Sequence, residues 1–522
     1  MEGLILLLVI GGIGYWIYKA SQRKPAPPQK PTSHGSAEFA KWEDLEAQGL
    51  LKPQGYPLGF WRGTRRNTDG EASERPSGPL RYSGELHRLI CAPTRSGKFA
   101  SCVGPMLLNE VDSSALIVDV KGEAAAITGE WRGKAGPVHI LDPWGISGHE
   151  SAAFNPLDIL AIDSPDLAED AAMLADAIVI GTGERDHHWN EEAKALLAAV
   201  MLYVALDPAE QDRRTLIRVR ELITQPKDAF KETLALMQGS SLADGLIARG
   251  AARLDQKSDD ERSGCLSTAQ QQTHFLDSPR LHGVLAKSTF DFAALKKGLC
   301  TIYLVLPPER LPSYNRWLRL LISFALTALA RTPGKPTEPI KFVVDEFPAL
   351  GPLKAVETAI GLMAGYGVQF HIICQDLSQL KDTYKDRWES FIANSGILQL
   401  FNVRDVFTAE YVAKLLGDST VIAKGQNYGE SSGSGPNRNF MSGTSYSEIK
   451  RPLLTPGEIM TLGTVGQLIF PANNRPILCR KHRWFEEAPW KERGKPPPEI
   501  FKPLQPAAEH LTVQGGVSYE VA

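Results

Sequence analysis

A short apolar strand that runs into a loop ending in Gly97-Lys98 is the feature that most constrains this chain. The loop covers residues 92–98, and a helix-compatible run over residues 99–108 follows it. Loops of this kind surround phosphates with backbone N–H groups and the positive end of the next helix, and the lysine reaches the β and γ oxygens. Two positions depart from the pattern: Ala92 stands where the first glycine is expected, and Phe99 where a Ser or Thr would hold Mg²⁺. The loop alone is equally compatible with an ordinary Gly-Lys turn.

A second pattern favours a nucleotide site. Residues 341–344 read as a buried strand, and Asp345 and Glu346 follow it directly. In P-loop NTPases an acidic residue at the end of a central strand orients Mg²⁺, and the next carboxylate can polarise the attacking water. Asp345 is therefore the candidate metal ligand and Glu346 the candidate catalytic carboxylate, although a strand ending in a solvated Asp-Glu pair is the simpler alternative. The candidate nucleotide contacts are Ala92, Pro93, Thr94, Arg95, Ser96, Gly97, Lys98 and Phe99.

Composition limits the kinds of partner. The chain has 522 residues, enough for two or three domains, and its net charge of −3 gives no global attraction to nucleic acid. Any such binding must use local basic patches. Six cysteines show no C-x-x-C spacing and lie mostly in apolar runs, so we expect reduced core thiols: Cys91, Cys102, Cys265, Cys300, Cys374 and Cys479.

The N-terminal segment predicts a membrane anchor. Residues 4–18 carry no charge, and residues 1–18 as a helix would span about 27 Å, just enough to cross the hydrocarbon core. Basic residues follow from Lys19 onward, so the positive-inside rule places the rest of the chain in the cytoplasm. A cleaved signal peptide is the alternative, but it would carry its basic residues first. We expect a transmembrane anchor over residues 1–20 and a Pro-rich linker over residues 21–36.

The middle of the chain predicts an α/β core with a helical insertion. Residues 115–119 and 138–142 read as buried strands with a helix between them, which indicates a parallel, doubly wound sheet. Helical periodicity then replaces strand patterns. The expected parts are a first nucleotide-binding part (37–157), an all-α domain (158–288), a second nucleotide-binding part (289–490) and a disordered C-terminal tail (491–522).

Further polar positions follow strands. The strand over residues 368–374 ends in Gln375, where RecA-like motors place a residue that senses the γ-phosphate; a solvated loop glutamine is the alternative. Residues 121–123 follow another strand, where ligands bind in such sheets, but a charged helix start explains them equally well. Residues 425–447 are rich in Gly, Ser and Asn and predict a mobile loop, and residues 466–480 predict a hairpin.

Together these patterns resemble the TraG-type coupling proteins of bacterial type IV secretion and conjugation, within the FtsK/HerA-like RecA-fold superfamily. The resemblance covers roughly residues 35–487. The stretches that carry it, in family order, are residues 35–37 with 49–51, 92–98, 119–123, 141–143, 154–158, 345–351, 375–380 and 451–454.

The resemblance implies a membrane-anchored ATPase with a RecA-like P-loop NTPase core, an inserted all-α domain and a hexameric ring as the working form. It implies ATP and Mg²⁺ as the bound groups and a location in the bacterial inner membrane, where the N-terminal sequence predicts a single pass. It also implies recruitment of a relaxase–DNA complex or of protein effectors to the other inner-membrane components of a secretion channel. Conjugative members are thought to move single-stranded DNA through the ring.

Some features depart from the family or stay open. Relatives commonly carry Gly after Gly-Lys, so Phe99 is bulkier than expected, and they usually have more than one transmembrane helix. Arg316 and Arg451 are candidates for an arginine finger, with solvated arginine as the better interpretation of each. A basic cluster could touch DNA phosphates or be an ordinary solvated surface: Arg213, Arg214, Arg218 and Arg220.

Two other functions remain possible from the sequence. One is a membrane-anchored DNA translocase unconnected with secretion, like the FtsK-type pumps. The other is a substrate receptor that binds nucleotide without hydrolysing it, which Ala92 and Phe99 keep open.

Overall fold

The computed structural model describes residues 32–62, 65–66, 72–73, 77–109, 111–181, 187–431 and 439–497. It divides into two compact units. The larger unit consists of Phe39–Thr408 with Met460–Ala522, and the smaller of Met1–Glu38 with Ala409–Ile459.

The strands of the described residues run in chain order as follows: β1 Tyr56–Arg62, β2 Arg65–Arg66, β3 Ala72–Ser73, β4 Ser77–Tyr82, β5 His87–Cys91, β6 Ala115–Asp119, β7 Val138–Leu141, β8 Thr301–Val305, β9 Ile340–Val344, β10 Val368–Cys374, β11 Ser395–Leu400, β12 Asp418–Ser431, β13 Asn439–Pro452, β14 Gly466–Pro471 and β15 Ile477–Arg480.

An eleven-stranded mixed sheet organises the larger unit, in the order β4-β1-β15-β14-β11-β5-β10-β9-β6-β8-β7. From β11 to β7 all neighbours are parallel, and β14, β15, β1 and β4 extend the sheet with antiparallel pairs. The expectation of an α/β fold is confirmed. The expected parallel sheet is corrected to a mixed one, because the C-terminal hairpin β14–β15 adds to the edge at β11.

Six of the seven parallel strands are buried along their whole length, and β7 at the edge is partly exposed. Every residue of β5, β6, β8, β9, β10 and β11 is buried. Strands covered on both faces need continuous apolar runs, and these sequences supply them with Val, Ile, Leu and Phe. Because neighbouring parallel strands end at one edge of the sheet, the loops after β5, β6, β9 and β10 come together there.

The helices of the described residues are α1 Trp42–Ala47, α2 Gly104–Asn109, α3 Glu123–Gly133, α4 Leu167–Ile178, α5 His187–Leu206, α6 Leu216–Ile223, α7 Lys227–Gln238, α8 Leu246–Asp255, α9 Asp259–Gln272, α10 Pro279–Leu285, α11 Ala294–Lys297, α12 Leu311–Arg331, α13 Lys354–Leu362, α14 Leu377–Tyr384, α15 Glu389–Ala393, α16 Val406–Leu416, α17 Pro456–Met460 and α18 Trp490–Arg493.

Helices fill the stretch between β7 and β8, where no strand occurs among the described residues. Five of them, α4 to α8, carry the helical periodicity that replaces strand patterns in this part of the sequence. Apolar periodicity does not reveal α9, because its buried face consists of only Cys265, Ala269 and the polar Gln272. The division into nucleotide-binding parts and an all-α domain stays a prediction.

The smaller unit contains a long hairpin where a mobile loop was expected. β12 and β13 pair without interruption from Asp418 opposite Pro452 to Ser431 opposite Asn439. The prediction was wrong because a backbone ladder satisfies N–H and C=O groups whatever the side chains are, and this ribbon exposes even Ile422 and Tyr446.

Gly35 joins the first residues of the smaller unit to this hairpin. Its φ is 140°, and a Cβ at this position would lie 2.2 Å from the carbonyl oxygen of Asp418. Ser36 forms an antiparallel bridge with Ser419, and Thr420 N donates to Gly35 O at 3.1 Å. Glycine is therefore required here by both backbone conformation and space.

Among the described residues, no helix combines the length and apolar character needed to cross a membrane. The predicted anchor over residues 1–20, most of the predicted linker and the tail from residue 498 lie outside those residues. All six cysteines are buried free thiols, which confirms their prediction as reduced core residues.

Candidate functional site

The loop after β5 folds back on itself through two left-handed residues. Arg95 has a φ of 60° and Gly97 a φ of 86°, whereas Lys98 has helical geometry. Alternation of left- and right-handed residues turns successive backbone N–H groups toward one side and creates an anion-binding concavity. The turn is closed by Ser96, whose N and Oγ donate to Pro93 O at 3.3 and 2.5 Å.

A π-helical turn, Phe99–Val103, follows the loop, and α2 continues from it. The sequence predicted one helix over this stretch. The wider turn leaves the carbonyl of Ala100 free to accept from Trp484 N at 3.1 Å. Trp484 packs so closely that a Cβ on Gly104 would lie 2.8 Å from its Cδ1. Such π turns occur often at functional sites.

A cavity of about 240 Å³ opens between this loop and the neighbouring strand ends. Residues 94–99 form one side of it. The charged side chains on the other sides come from the ends of β6 and β9 and from the start of α3: Asp119, Lys121, Glu123, Asp345 and Glu346.

Glu346 is the centre of the polar contacts in this cavity. Lys98 Nζ donates to its Oε1 at 3.0 Å, and Gln375 Nε2 donates to its Oε2 at 3.0 Å. Glu346 has a φ of 49°, and its N donates to Asp345 Oδ1 at 3.0 Å. A left-handed non-glycine residue costs about 1–3 kcal/mol and is typical of functional sites. The structure thus brings together the three candidate catalytic residues, Lys98, Glu346 and Gln375.

The two strand-end aspartates hold their protons unusually tightly. Burial, followed by the charge of Glu346, raises the pKa of Asp345 to about 6, against the opposing effect of Lys98 and Lys121. Burial also raises the pKa of Asp119 to about 6. Asp119 nevertheless accepts from Ala125 N at 2.9 Å, as an anchor for the first turn of α3.

Residues 121–123 form a helix start and also contribute to the lining of the cavity, so both interpretations of them hold. Gly122, with a φ of 71°, precedes α3, so the stretch is a helix start. Lys121 and Glu123 also line the cavity. Burial, and then the charge of Asp345, raises the pKa of Glu123, whereas Lys121 lowers it.

Two of the eight predicted loop contacts lie apart from the cavity. Ala92 is fully buried, and its N donates to Cys374 O at 3.0 Å, which extends the pairing of β5 with β10. Pro93 supplies the carbonyl that closes the turn. Thr94 to Phe99 all line the cavity, and Phe99 places a half-buried ring there instead of a hydroxyl.

Sequence reasoning missed Lys481, which follows β15. Its Nζ donates to Ser96 O and to Asn402 Oδ1, both at 3.0 Å, and lies 4.4 Å from the ring centre of Phe401. Burial lowers the pKa of Lys481. Lys481 therefore stabilises the loop from a position 385 residues after Ser96, a contact that no local sequence pattern could reveal.

The arginine-finger candidates both have partners within the chain. Arg316 donates to Gln272 Oε1 through Nε at 3.0 Å and Nη2 at 2.8 Å. Arg451 is ion-paired with Glu458. Glu458 in turn accepts from Thr455 N at 2.8 Å and shapes the start of α17.

The basic cluster of α6 and the turn before it is largely neutralised. Arg218 Nε lies 2.8 Å from Glu210 Oε2, and Arg213 Nη2 lies 3.4 Å from the same oxygen. Arg220 Nη2 lies 2.8 Å from Asp277 Oδ2. These ion pairs favour the interpretation as a structured, solvated surface over direct phosphate contact.

The fold and the cavity define a P-loop α/β protein. Within that class, residues 33–512 match the model of the family described as Type IV secretory system Conjugative DNA transfer, and the chain belongs to this family.

Curated relatives agree with this assignment. The chain is 29% identical over 534 residues to a conjugal transfer protein TraG of Escherichia coli, with 93% of this chain and 82% of the relative covered. It is 27% identical over 469 residues to the protein VirD4 of Rhizobium rhizogenes, with 87% and 66% covered.

Solved structures share the fold. The bacterial conjugative coupling protein TrwB in complex with sulphate has a TM-score of 0.64 at 16% identity, with 87% of this chain and 95% of that chain covered. The complex of TrwB with ADP and Mg²⁺ has a TM-score of 0.61 at 16% identity, with 88% and 95% covered.

Proposed function

We propose that this protein is an inner-membrane coupling ATPase, which recruits relaxase–DNA or protein effector substrates to a type IV secretion channel and drives their transfer by ATP hydrolysis. The observation that carries the proposal is the convergence of Lys98, Asp345 and Glu346 on one cavity beside a loop with anion-binding geometry, with Gln375 bonded to Glu346. Family membership supports conjugative transfer as the process.

The residues of the cavity fit a nucleoside triphosphate with Mg²⁺. The N–H groups of the loop and Lys98 would hold the phosphates. Phe99 offers no oxygen, so Asp345 is the side chain that would hold the metal, directly or through water. Mg²⁺, when bound, neutralises charge on the phosphate oxygens. The TrwB structure with ADP and Mg²⁺ supports the same pair of bound groups here.

Glu346 is the proposed general base. In the structure its carboxylate is shared by Lys98 and Gln375. Phosphates compete for Lys98, since they carry more negative charge than one carboxylate. Release of Lys98 frees Oε1 to accept a proton from the attacking water. Gln375 is bonded to Oε2 of Glu346, so a change in the contacts of Glu346 would be passed to the end of β10.

Assembly and location complete the proposal. A homo-hexamer would let a neighbouring subunit supply an arginine to the cavity, and single-stranded DNA would pass through the ring. The segment over residues 1–20 would anchor each chain in the bacterial inner membrane, with most of the chain cytoplasmic. The region of α4 to α10 would form the all-α domain that receives substrates, beside other inner-membrane components of the secretion system.

ATP turnover of the purified chain, measured with and without single-stranded DNA beside a Lys98→Ala variant, tests this function. Protein concentration must be varied, because ring motors need their neighbours. We expect turnover that depends on Lys98, rises with concentration and rises further with DNA.

Other results would favour other functions. Tight ATP binding without turnover in assembled rings would contradict the motor and favour a non-hydrolysing receptor, with Phe99→Gly as the first reversion to test. DNA-stimulated turnover without any interaction with relaxase or channel components would favour a DNA translocase unconnected with secretion.

A further inference from the structure

We propose that a groove between α4, α12 and α13 binds an acidic, apolar peptide segment of a transferred protein. The groove has a volume of about 650 Å³ and lies wholly within the larger unit. The inference rests on the proposed role in substrate recruitment, and it names a site and a chemistry for that role.

The floor and rim of the groove are apolar. Met173 and Ile180 contribute from the side of α4, and Leu326 contributes from α12. At the rim, Leu362 is 62% exposed and Tyr366 is 45% exposed. Large aliphatic side chains left in water beside a concave surface are typical of a site that a partner covers.

Arg319, at the inner wall of the groove, forms no ion pair with a carboxylate of the described residues. Arg319 is 4% exposed. Its Nε donates to Ala177 O at 3.3 Å, and its Nη1 donates to Leu350 O at 3.2 Å and Pro352 O at 2.7 Å. Burial lowers the pKa of Arg319 to about 10, and the more distant charge of Asp176 offsets this only in part.

Lys354, which lines the groove, and Lys296, which lies beside its rim at Tyr366, also lack a carboxylate partner among the described residues. Lys296 Nζ donates to Leu329 O at 3.0 Å and Thr332 O at 2.7 Å and lies over the ring of Tyr366. Lys354 is exposed on the wall of the groove. Neither lysine forms an ion pair with a described carboxylate.

The remaining charged residues of the lining cancel each other, because Lys194 Nζ lies 2.8 Å from Asp176 Oδ1. The groove therefore carries surplus positive charge beside an apolar surface. A peptide carboxylate would supply the missing counter-charge, and apolar side chains of the same peptide would cover Leu362 and Tyr366.

The same observations disfavour other anions. A free phosphate would leave the apolar rim in water. Single-stranded nucleic acid binds through stacks of aromatic side chains, and the lining of this groove offers one aromatic ring, Tyr366, among aliphatic residues. An acidic and apolar peptide matches both the charge and the surface.

Selection of a phage-displayed library of random peptides on the full chain tests this site. We expect the enriched peptides to combine Asp or Glu with Leu, Ile, Met or Phe. Their synthetic, fluorescein-labelled forms should bind with an affinity that falls as salt rises. Lys354→Glu and Leu362→Ser should each weaken binding about tenfold, since each removes one charge or one apolar contact.

Lys231→Glu on the exposed face of α7 is the matched charge control and should leave binding unchanged. Lys354→Glu and Leu362→Ser should leave ATP turnover unchanged, so a failed groove and a failed motor give different results. Enrichment of basic peptides, or peptide binding that is indifferent to both groove variants, would overturn the proposal.

Three other occupants give distinct signatures, and each overturns the proposal. If labelled single-stranded DNA binds in a manner that depends on Lys354, the groove is a nucleic-acid site. If Leu362→Ser changes the sedimentation of the assembly, a second copy covers the groove. If a chain ending at residue 497 binds the selected peptides much more tightly than the full chain, the chain's own C-terminal segment is the occupant.

Discussion

The nucleotide cavity and the peptide groove both hold desolvated charge, but they balance it in opposite ways. In the cavity, Lys98 is paired with Glu346, and the aspartates at the strand ends bind protons more tightly than usual. In the groove, the guanidinium of Arg319 bonds to carbonyl oxygens and meets no described carboxylate.

The two arrangements of charge suit different kinds of ligand. A lysine paired with a carboxylate can exchange that partner for phosphate, so the cavity is arranged to change state during a reaction. A cation held by carbonyls keeps its position whether or not an anion arrives, so the groove is arranged to bind. The carbonyls of Leu350 and Pro352 also follow the Asp345-Glu346 strand end, which places the two regions on one continuous loop.

Of the substitutions in the two regions, Lys98→Ala should have the largest effect, a loss of ATP binding and turnover. Loss of the ammonium removes the phosphate contact, so ATP turnover should be abolished and ATP affinity should fall by about a hundredfold. Circular dichroism should show an unchanged fold, because Glu346 keeps the bond from Gln375. Wild-type ATP affinity in this variant, measured by equilibrium dialysis, would show that the cavity does not bind phosphate through Lys98.

Arg319→Met should lower stability by about 2 kcal/mol. The substitution keeps the apolar stem but leaves the carbonyls of Ala177, Leu350 and Pro352 without their donors. Arg316→Met, which removes only contacts to Gln272, is the matched control and should have a smaller effect. Thermal unfolding followed by calorimetry measures the difference, and equal melting temperatures for wild type and Arg319→Met would contradict the assigned role of Arg319.

Asp119→Asn should change the pH dependence of stability. The folded-state pKa of Asp119 is raised to about 6, so the folded state retains its proton where the unfolded state loses it. Stability of the wild type therefore falls as pH rises from about 4 to about 6, by about 2–3 kcal/mol from this group. Asp119→Asn has no carboxyl group to titrate at this position, so this fall in stability should be absent. Melting temperatures at both ends of that pH range test it, and parallel curves for the two proteins would refute the raised pKa.

Lys481→Met should have the smallest effect, a loss of ATP affinity of about tenfold. The apolar stem stays, but the bonds to Ser96 O and Asn402 Oδ1 disappear, so the loop spends less time in its binding conformation. Lys481→Arg should recover part of the affinity. A melting temperature of Lys481→Met close to that of wild type would show that the loss of ATP affinity comes from loop positioning and not from general instability. Unchanged ATP affinity would show that Lys481 does not position the loop.

The cavity could be predicted from sequence because each of its parts follows its own buried strand. Lys98, Glu346 and Gln375 were assigned from β5, β9 and β10 separately, and the parallel order of those strands brings them together. The same logic predicted most strands and helices. It failed at residues 425–431 and 439–447, where glycine and serine suggested a loop but the backbone forms a ladder.

The groove and Lys481 could not be predicted in this way. The carbonyl partners of Arg319 lie 142, 31 and 33 positions away, and Lys481 meets Ser96 across 385 positions. Their bonds involve backbone oxygens, which every residue has, so the residue types along the chain carry no signal for them.

The central claim is that Glu346 activates water in a cavity where Lys98 holds phosphate. ATP binding and ATP turnover of Glu346→Gln, measured beside the wild type in the same assembled rings, test it most directly. We expect the variant to retain ATP with wild-type affinity while its turnover falls by at least about a hundredfold. Turnover of Glu346→Gln at the wild-type rate would contradict the assignment of the catalytic carboxylate and with it the proposed mechanism.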